Sequence, residues 1–539
     1  MAAPNQPQPL TDHHTSLSRA VRAVFSVTLL SRVGGLVREV IVARIFGDTA
    51  IGSAFAAAFA IPNLFRRLFG EGALSAAFIP EYTRHVRDQP EQAHRLASLT
   101  LITLGLATGV LTVVVELLLL GLLVLLPHDA ERALSLRLIM VMLPFMPFIC
   151  IVAILAGMLQ VHGRFAASAT GPLVLNGFII AFGLYFLLTN QVAQERPAYI
   201  IGAATVLSGL TQAMWFAVLL RPHVRWTREV RPALGSGRVM LNRFVPVLIG
   251  LGTLQLSAFI DTAITMYPLW FGPQFLGRAY PLDEKSAVIL SAMQRLYQFP
   301  LGVFGIAVAT AVFPLLARAA GDAEAFGSTL RRGMRLSLFI GLPASVGLVL
   351  VRHDLVAVLF GAGTNAAGKT GFSQEGVARS TLVLLGYAPA VWAYSLNHVL
   401  TRAFYALGDT RTPMRVSVGM VFVNLTLNCT LIWFLREAGL AWGTSICAIA
   451  QCTILAALLH RRGHAPVDRA AWAGALRILL ATVVLVAVCA LVLWALPEPQ
   501  TWWQRAVRLA AATSAGVAGF TVGALLLRVP ELRWLTRSG

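Results

Sequence analysis

Arginines set into apolar sequence are the residues of this chain whose type and spacing could do chemistry. The run from Ser31 to Tyr82, SRVGGLVREVIVARIFGDTAIGSAFAAAFAIPNLFRRLFGEGALSAAFIPEY, carries Arg32, Arg38, Glu39, Arg66, Arg67 and Glu71 among residues that suit a bilayer. An arginine at the centre of a membrane helix costs about 2.5–3.5 kcal/mol on insertion scales, so such residues face a protein interior or a water-filled cavity and mark function. A guanidinium grips phosphate through a planar fork of donors. Arg295, in SAMQRLYQFPLGVFG ahead of Pro300, adds a further cation in apolar and aromatic surroundings. Arg32, Arg38, Arg66 and Arg295 are therefore read as a receptor for a pyrophosphate on a large anionic lipid headgroup. Arg32 and Glu39 lie two turns apart on one helix face. Gly34-Gly35 between the arginines predicts a bend at the site. Arg67 and Glu71, four apart, are expected to pair along their helix, and with Glu39 they form the structural ion-pair set. Arg66 then points about 100° round the helix, towards ligand.

A second constellation is neutral or acidic. Asp261 sits mid-helix in LSAFIDTAI, Asn424 and Asn428 are four apart on one helix, and Thr444 begins the next. Carboxylate, amide and hydroxyl oxygens suit a hard cation such as Na⁺; ordinary interhelical hydrogen bonding is the other reading of the same residues. Glu116, in VVVELLLL, has the most apolar context of any acid and receives no role. The five cysteines lie inside apolar segments without a CxxC or Cys/His cluster, as small buried hydrophobes do. His13 and His14 belong to a polar N-terminal tail. No Walker motif, HExxH or Ser/His/Asp arrangement is present, so neither ATP hydrolysis nor another cofactor is expected.

The elements that must position these groups are membrane helices. Of 539 residues, 57% are hydrophobic and 12% charged, about half the charge of a soluble chain, and the mean hydropathy is +0.73. Fourteen segments meet the roughly 20-residue criterion for a spanning helix: 21–45, 50–82, 96–126, 133–160, 168–189, 198–220, 241–271, 286–317, 333–351, 378–406, 412–435, 439–460, 471–496 and 503–528. A β-barrel would show short alternating segments instead. The net charge of +19 is carried almost wholly by arginine. Its concentration in alternate loops, the richest running from Arg221 to Arg243, predicts both termini on the cytoplasmic side and accounts for the charge without nucleic acid.

The stretch ending Gly163-Arg164 recurs as the stretch ending Gly408-Asp409. Each leads through a proline (Pro172, Pro413) into a helix bearing an asparagine (Asn176, Asn424). Similarly, Phe78-Ile-Pro80 resembles Phe313-Pro314. This is the pattern of a parallel repeat about an axis along the membrane normal. The expected organisation is a disordered cytoplasmic tail over 1–18, an N-lobe of six helices over 19–221, a basic linker over 222–238, a C-lobe of six helices over 239–462, and two further helices with a tail over 463–539. The fold class is an all-α polytopic membrane protein, two six-helix lobes in pseudo-two-fold repeat plus two C-terminal helices.

SRVGGLVREVIVARIFG followed by AFAIPNLFRRLFGEGALSAAFIPEY resembles the signature of the MurJ (MviN) family of lipid II flippases. QRLYQFPLGVFGIAVATAVFPLLA and YALGDTRTPMRV strengthen the likeness, which runs from about Val21 to the end of the chain. The resemblance implies the multidrug/oligosaccharidyl-lipid/polysaccharide exporter fold, a groove for a polyprenyl tail at the last two helices, and essential cavity arginines matching Arg32, Arg38 and Arg66, with Arg295 the arginine of helix eight. It further implies lipid II and membrane lipids as partners, and a monomer in the bacterial cytoplasmic membrane touching cell-wall synthesis enzymes transiently; Na⁺ is the candidate coupling ion on the oxygen chemistry of Asp261, Asn424, Asn428 and Thr444 alone. Three positions depart from the family pattern: Ser53 and Gln294 stand where an acid is usual, and Glu39 replaces an aspartate. Rival readings are a flippase for another polyprenyl-linked oligosaccharide, whose diphosphate is shared, and a drug/cation antiporter of the same fold, whose cavity should carry acids. A membrane-embedded transferase would need a general base and a metal-binding acidic pair, and neither is visible.

Overall fold

A computed structural model describes residues 11–67, 73–125, 128–192, 194–362, 371–464, 466 and 468–536. The described chain is almost wholly helical, as a chain must be when the bilayer offers its backbone no hydrogen-bond partner. The first lobe comprises α1 (Thr11–Phe46), α2 (Ala50–Phe65), α3 (Ala73–Asp88), α4 (Pro90–Leu125), α5 (Ala130–Met142), α6 (Phe145–Val161), α7 (Phe165–Ser168), α8 (Gly171–Leu188) and α9 (Glu195–Leu220). The second comprises α10 (Leu234–Phe271), α11 (Ser286–Pro300), α12 (Ile306–Arg318), α13 (Ala323–Leu359), α14 (Gln374–Ala406), α15 (Arg411–Leu435) and α16 (Glu437–Arg461). Two long helices, α17 (Arg469–Ala495) and α18 (Trp502–Leu526), and the short α19 (Pro530–Thr536) follow. A two-residue hairpin, Gln274–Phe275 with Arg278–Ala279, decorates the loop before α11.

Among the described residues nine stretches are long and apolar enough to cross a membrane: α4, α5–α6, α7–α8, α9, α13, α15, α16, α17 and α18. The other five expected crossings correspond to α1, α2–α3, α10, α11–α12 and α14. Of these, α2, α3, α11 and α12 are each too short to span alone, and α1 carries Arg32 and Arg38 among its apolar residues. The α14 helix is buried along its length between α13, α16, α11 and α12, so its polar side chains face protein. In contrast, α4 turns Leu106, Val110, Val113, Leu117 and Leu118 outward, an apolar surface of the kind that acyl chains cover.

One apolar cluster centres on the first lobe and takes in Met266, Leu269 and Ala287 of the second; two more centre on the second lobe, one of them including Ala43 of α1; and a fourth seals α17 and α18 onto α13 through Phe339, Ile478, Leu485 and Phe520. The repeat is visible in the backbone. Gly163 and Gly408 both adopt the left-handed conformation, φ +74° and +77°. After each, a backbone N–H reaches five residues back: Arg164 to the Leu159 carbonyl at 2.8 Å and Asp409 to the Phe404 carbonyl at 3.0 Å. This is the closure of a glycine-terminated helix. Asp409 then accepts hydrogen bonds from Thr412 and Arg462, which hold its carboxyl below the usual carboxylate range.

Two expectations are corrected. Residues 11–18 are drawn into α1 rather than left as a disordered tail; residues 1–10 lie outside the described residues. Helix α1 also runs unbroken through Gly34-Gly35. The two glycines serve close packing instead: a β-carbon on Gly34 would meet Asn176 Nδ2 of α8 at 3.4 Å. The helix interruptions fall elsewhere, after Phe65, where Arg66 and Arg67 form a π-type turn, and after Pro300, where Leu301–Gly305 form another.

Candidate functional site

The four arginines singled out by the sequence, Arg32 and Arg38 from α1, Arg66 following α2, and Arg295 from α11, line one cavity of about 740 Å³. No aspartate or glutamate lines it among the described residues. The remaining wall mixes apolar side chains, such as Ile79, Val152 and Phe216, with the amides and hydroxyls of Ser31, Asn63, Gln160, Asn176 and Gln212. The cavity lies toward the N-terminal end of α1 and the α6–α7 turn.

Each guanidinium is held differently. Arg38 is buried. It donates to Asn176 Oδ1 at 3.2 Å and to Glu39 Oε2 at 3.2 Å, and stacks over the Phe59 ring at 4.8 Å. Asn176 is itself fixed by donating to the Ser31 carbonyl at 3.1 Å. The sequence noted Asn176 only as a repeat marker; an amide inside an apolar helix was the available signal. Arg66 Nε donates to Asn63 Oδ1, one turn back, at 2.8 Å. Arg32 makes no hydrogen bond or ion pair with any described residue and rests against Gly302 in the π-turn after α11.

Glu39 does not pair with Arg32 despite their shared face. It bridges Arg38 of its own helix and, at 3.9 Å, Arg295 of the other lobe, and accepts from Ser291 Oγ at 3.5 Å. Glu71, the expected partner of Arg67, lies outside the described residues. Arg67 lines a smaller hollow of about 130 Å³ together with Glu39, Asp261, Gln294 and Arg295. Arg38 and Arg295 border both hollows.

Behind the smaller hollow, Asn428 Nδ2 donates to Asp261 Oδ1 at 2.6 Å and to Asn424 Oδ1 at 3.1 Å, and Ser257 donates to Asn424 Oδ1 at 3.2 Å. Asn428 Oδ1 is buried without a hydrogen-bond partner. Gly443 of α16 packs so tightly on it that a β-carbon would lie 2.5 Å away. Thr444 spends its hydroxyl proton on the Leu440 carbonyl. Among the described residues no three His, Cys, Asp or Glu side chains gather as metal ligands, so any cation here depends on amide oxygens beside the one carboxylate.

At the opposite end of α1 the lobes are fastened together. Asp48 accepts from the backbone N–H and the hydroxyl of Ser373, both at 2.6 Å, at the N-terminus of α14. Lys285 reaches Asp48 at 3.9 Å and Glu375 at 3.3 Å, and Arg44 donates to the Val358 carbonyl at 2.9 Å. Ser53, a position that the resemblance assigns to an acid, accepts the Val288 N–H in the first turn of α11 at 3.2 Å. Gln294, the other departure, donates to the Tyr387 hydroxyl at 3.1 Å. Neutral hydrogen bonds thus occupy both positions.

A family model described as Lipid II flippase MurJ matches residues 42–508. A probable lipid II flippase MurJ from Vibrio cholerae serotype O1 is 31% identical over 534 residues, covering 94% of this chain and 95% of its own. A lipid II flippase MurJ from Burkholderia cenocepacia is 28% identical over 475 residues, covering 83% and 84%. A solved structure of a lipid II flippase MurJ in an inward closed conformation superposes with a TM-score of 0.74 at 19% identity, over 94% of this chain and 98% of that one. An inward-facing transporter of the multidrug resistance MATE family shares the fold with a TM-score of 0.62 at 13% identity, over 83% and 98%.

Proposed function

Because the chain belongs to the MurJ family of lipid II flippases, we propose that it carries lipid II, an undecaprenyl-pyrophosphate disaccharide-pentapeptide, from the inner to the outer leaflet of the bacterial cytoplasmic membrane. It does so as a transporter rather than an enzyme, with both termini on the cytoplasmic side, and Arg32, Arg38, Arg66 and Arg295 bind the diphosphate. One observation carries this reading: four guanidiniums line a cavity that no described carboxylate lines, and Glu39 beside it offsets only part of their charge. A cation transporter needs the opposite sign. The amides and hydroxyls of the same wall suit sugar hydroxyls, and the polyprenyl tail stays in lipid against α17 and α18. Rocking of the lobes about the fixed site then exposes it to each side in turn.

The drive comes from the membrane potential, worth about 2.3 kcal/mol per charge per 100 mV, or from an ion gradient. Asp261, Asn424 and Asn428 are the residues to hold Na⁺, with Thr444 adjoining, and the unpartnered Asn428 oxygen fits that role. A bound cation would supply a charge that biases the second lobe's helices.

Depletion-rescue in a bacterium lacking its own lipid II flippase tests the reading. Wild type should restore growth, and well-expressed Arg32→Ala, Arg38→Ala and Arg66→Ala should not. Growth restored by all three variants would end it.

A further inference from the structure

The second-lobe helix that carries Arg295 breaks its α-helical pattern a little beyond that residue. Pro300 ends α11, and Leu301–Gly305 wind as a π-turn before α12 resumes. Such turns cluster at functional sites because they shift the register of the side chains that follow. Two glycines lie in this one, and they face different lobes. Gly305 packs within its own lobe, where a β-carbon would meet Ser395 Oγ at 2.9 Å. Gly302 faces the other lobe: a β-carbon there would fall on the guanidinium of Arg32, with Cζ at 2.5 Å and Nη2 at 3.1 Å. No side chain larger than hydrogen fits while Arg32 stays where it is.

The contact matters because no described residue bonds or pairs with Arg32. Arg38 is tied to Asn176 and Glu39, Arg66 to Asn63, and Arg295 to Glu39. Arg32 has no hydrogen-bonding or ionic partner among the described residues, so shape sets its position.

We propose that Gly302 is a positioning residue for the headgroup site: its missing side chain makes a notch in the π-turn that receives the Arg32 guanidinium from across the lobe boundary. The notch holds an arginine of the first lobe beside Arg295 of the second, over the same cavity, with its donors free for a diphosphate. Lobe separation at this end lifts Arg32 out of the notch, so the site is complete only while the lobes are close here. The functional half of this inference rests on the reading of Arg32 as a diphosphate ligand.

The test is a double-mutant cycle on purified full-length protein in nanodiscs, reading the affinity for purified lipid II. Arg32→Ala should weaken binding about tenfold or more, the loss of a charge-assisted contact. Gly302→Ala should weaken it comparably, and in the Arg32→Ala background it should cost nothing further. Gly302→Ala that leaves affinity unchanged overturns the proposal. So does a penalty that is the same with and without Arg32, since that is the mark of a merely structural glycine. Placement has a readout that needs no ligand: in a cysteine-free protein, Arg32→Cys with Gly302→Cys should be joined by a short bifunctional thiol reagent. Failure to join overturns the notch. Efficient joining together with normal lipid II binding by Arg32→Ala supports the notch while removing Arg32 from the substrate site, so the two readings fail separately.

Discussion

Removing the Asp48 carboxylate should open the end of the lobes remote from the cavity. Asp48 is 6% exposed and both of its oxygens accept hydrogen bonds at 2.6 Å from Ser373, across the lobe boundary. A hydrogen bond to a charged group contributes about 1.5–3 kcal/mol. Water recovers part of the loss once the end opens, so we take about 2–3 kcal/mol for the pair. Every 1.4 kcal/mol is tenfold in an equilibrium, and Asp48→Ala should therefore shift the balance between the closed and open states of this end by about 30- to 150-fold. Asp48→Asn, which keeps an acceptor for the Ser373 N–H, should shift it less. The assay is labelling by a membrane-impermeant maleimide of Ala60→Cys, which lines the smaller hollow beneath the seal, in protein whose five native cysteines have been replaced. Labelling should accelerate in the order wild type, Asp48→Asn, Asp48→Ala. Equal rates in all three would refute the reasoning, because the seal would then be held by something other than this carboxylate.

Three further outcomes follow from the same geometry. Asn176→Leu removes both the acceptor for Arg38 and the donor to Ser31; it should lower thermal stability by about 1–3 kcal/mol and fail in depletion-rescue at normal expression, and full rescue would count against Asn176 as the anchor of Arg38. Burial alone would raise the Asp283 carboxyl, yet hydrogen bonds from Arg379 and the charges of Arg379 and Arg436 pull it down to about 2. A depressed pKa stabilises the fold above the unfolded value and is lost as pH falls through the folded one, so the melting-temperature gap between wild type and Asp283→Asn should hold from about pH 7 to about pH 4 and close towards pH 2; a gap that closes near pH 5 contradicts this. Sodium should raise the melting temperature of wild type but not of Asp261→Ala or Asn428→Ala, and a wild type indifferent to sodium rejects the cation site.

Hydropathy, charge and short motifs are properties of neighbouring residues, and they were sufficient to identify a helical membrane protein, to locate its apolar segments and to single out Arg32, Arg38, Arg66 and Arg295. An arginine in greasy sequence announces itself because its cost in lipid is large wherever its partner lies. Partners are another matter. Glu39 had Arg32 on its own helix face, yet it joins Arg38 and Arg295, since the approach of α11, some two hundred and fifty residues on, decides which cation it meets. Gly34-Gly35 suggested a hinge in isolation and became a seat for Asn176 once α8 packed there. The notch at Gly302 and the Asp48 seal on α14 have no local signature at all, because glycine and aspartate acquire those roles only from what the other lobe presses against them. Sequence determined which groups must be kept from lipid; the packing of helices distant along the chain decided what each of them touches.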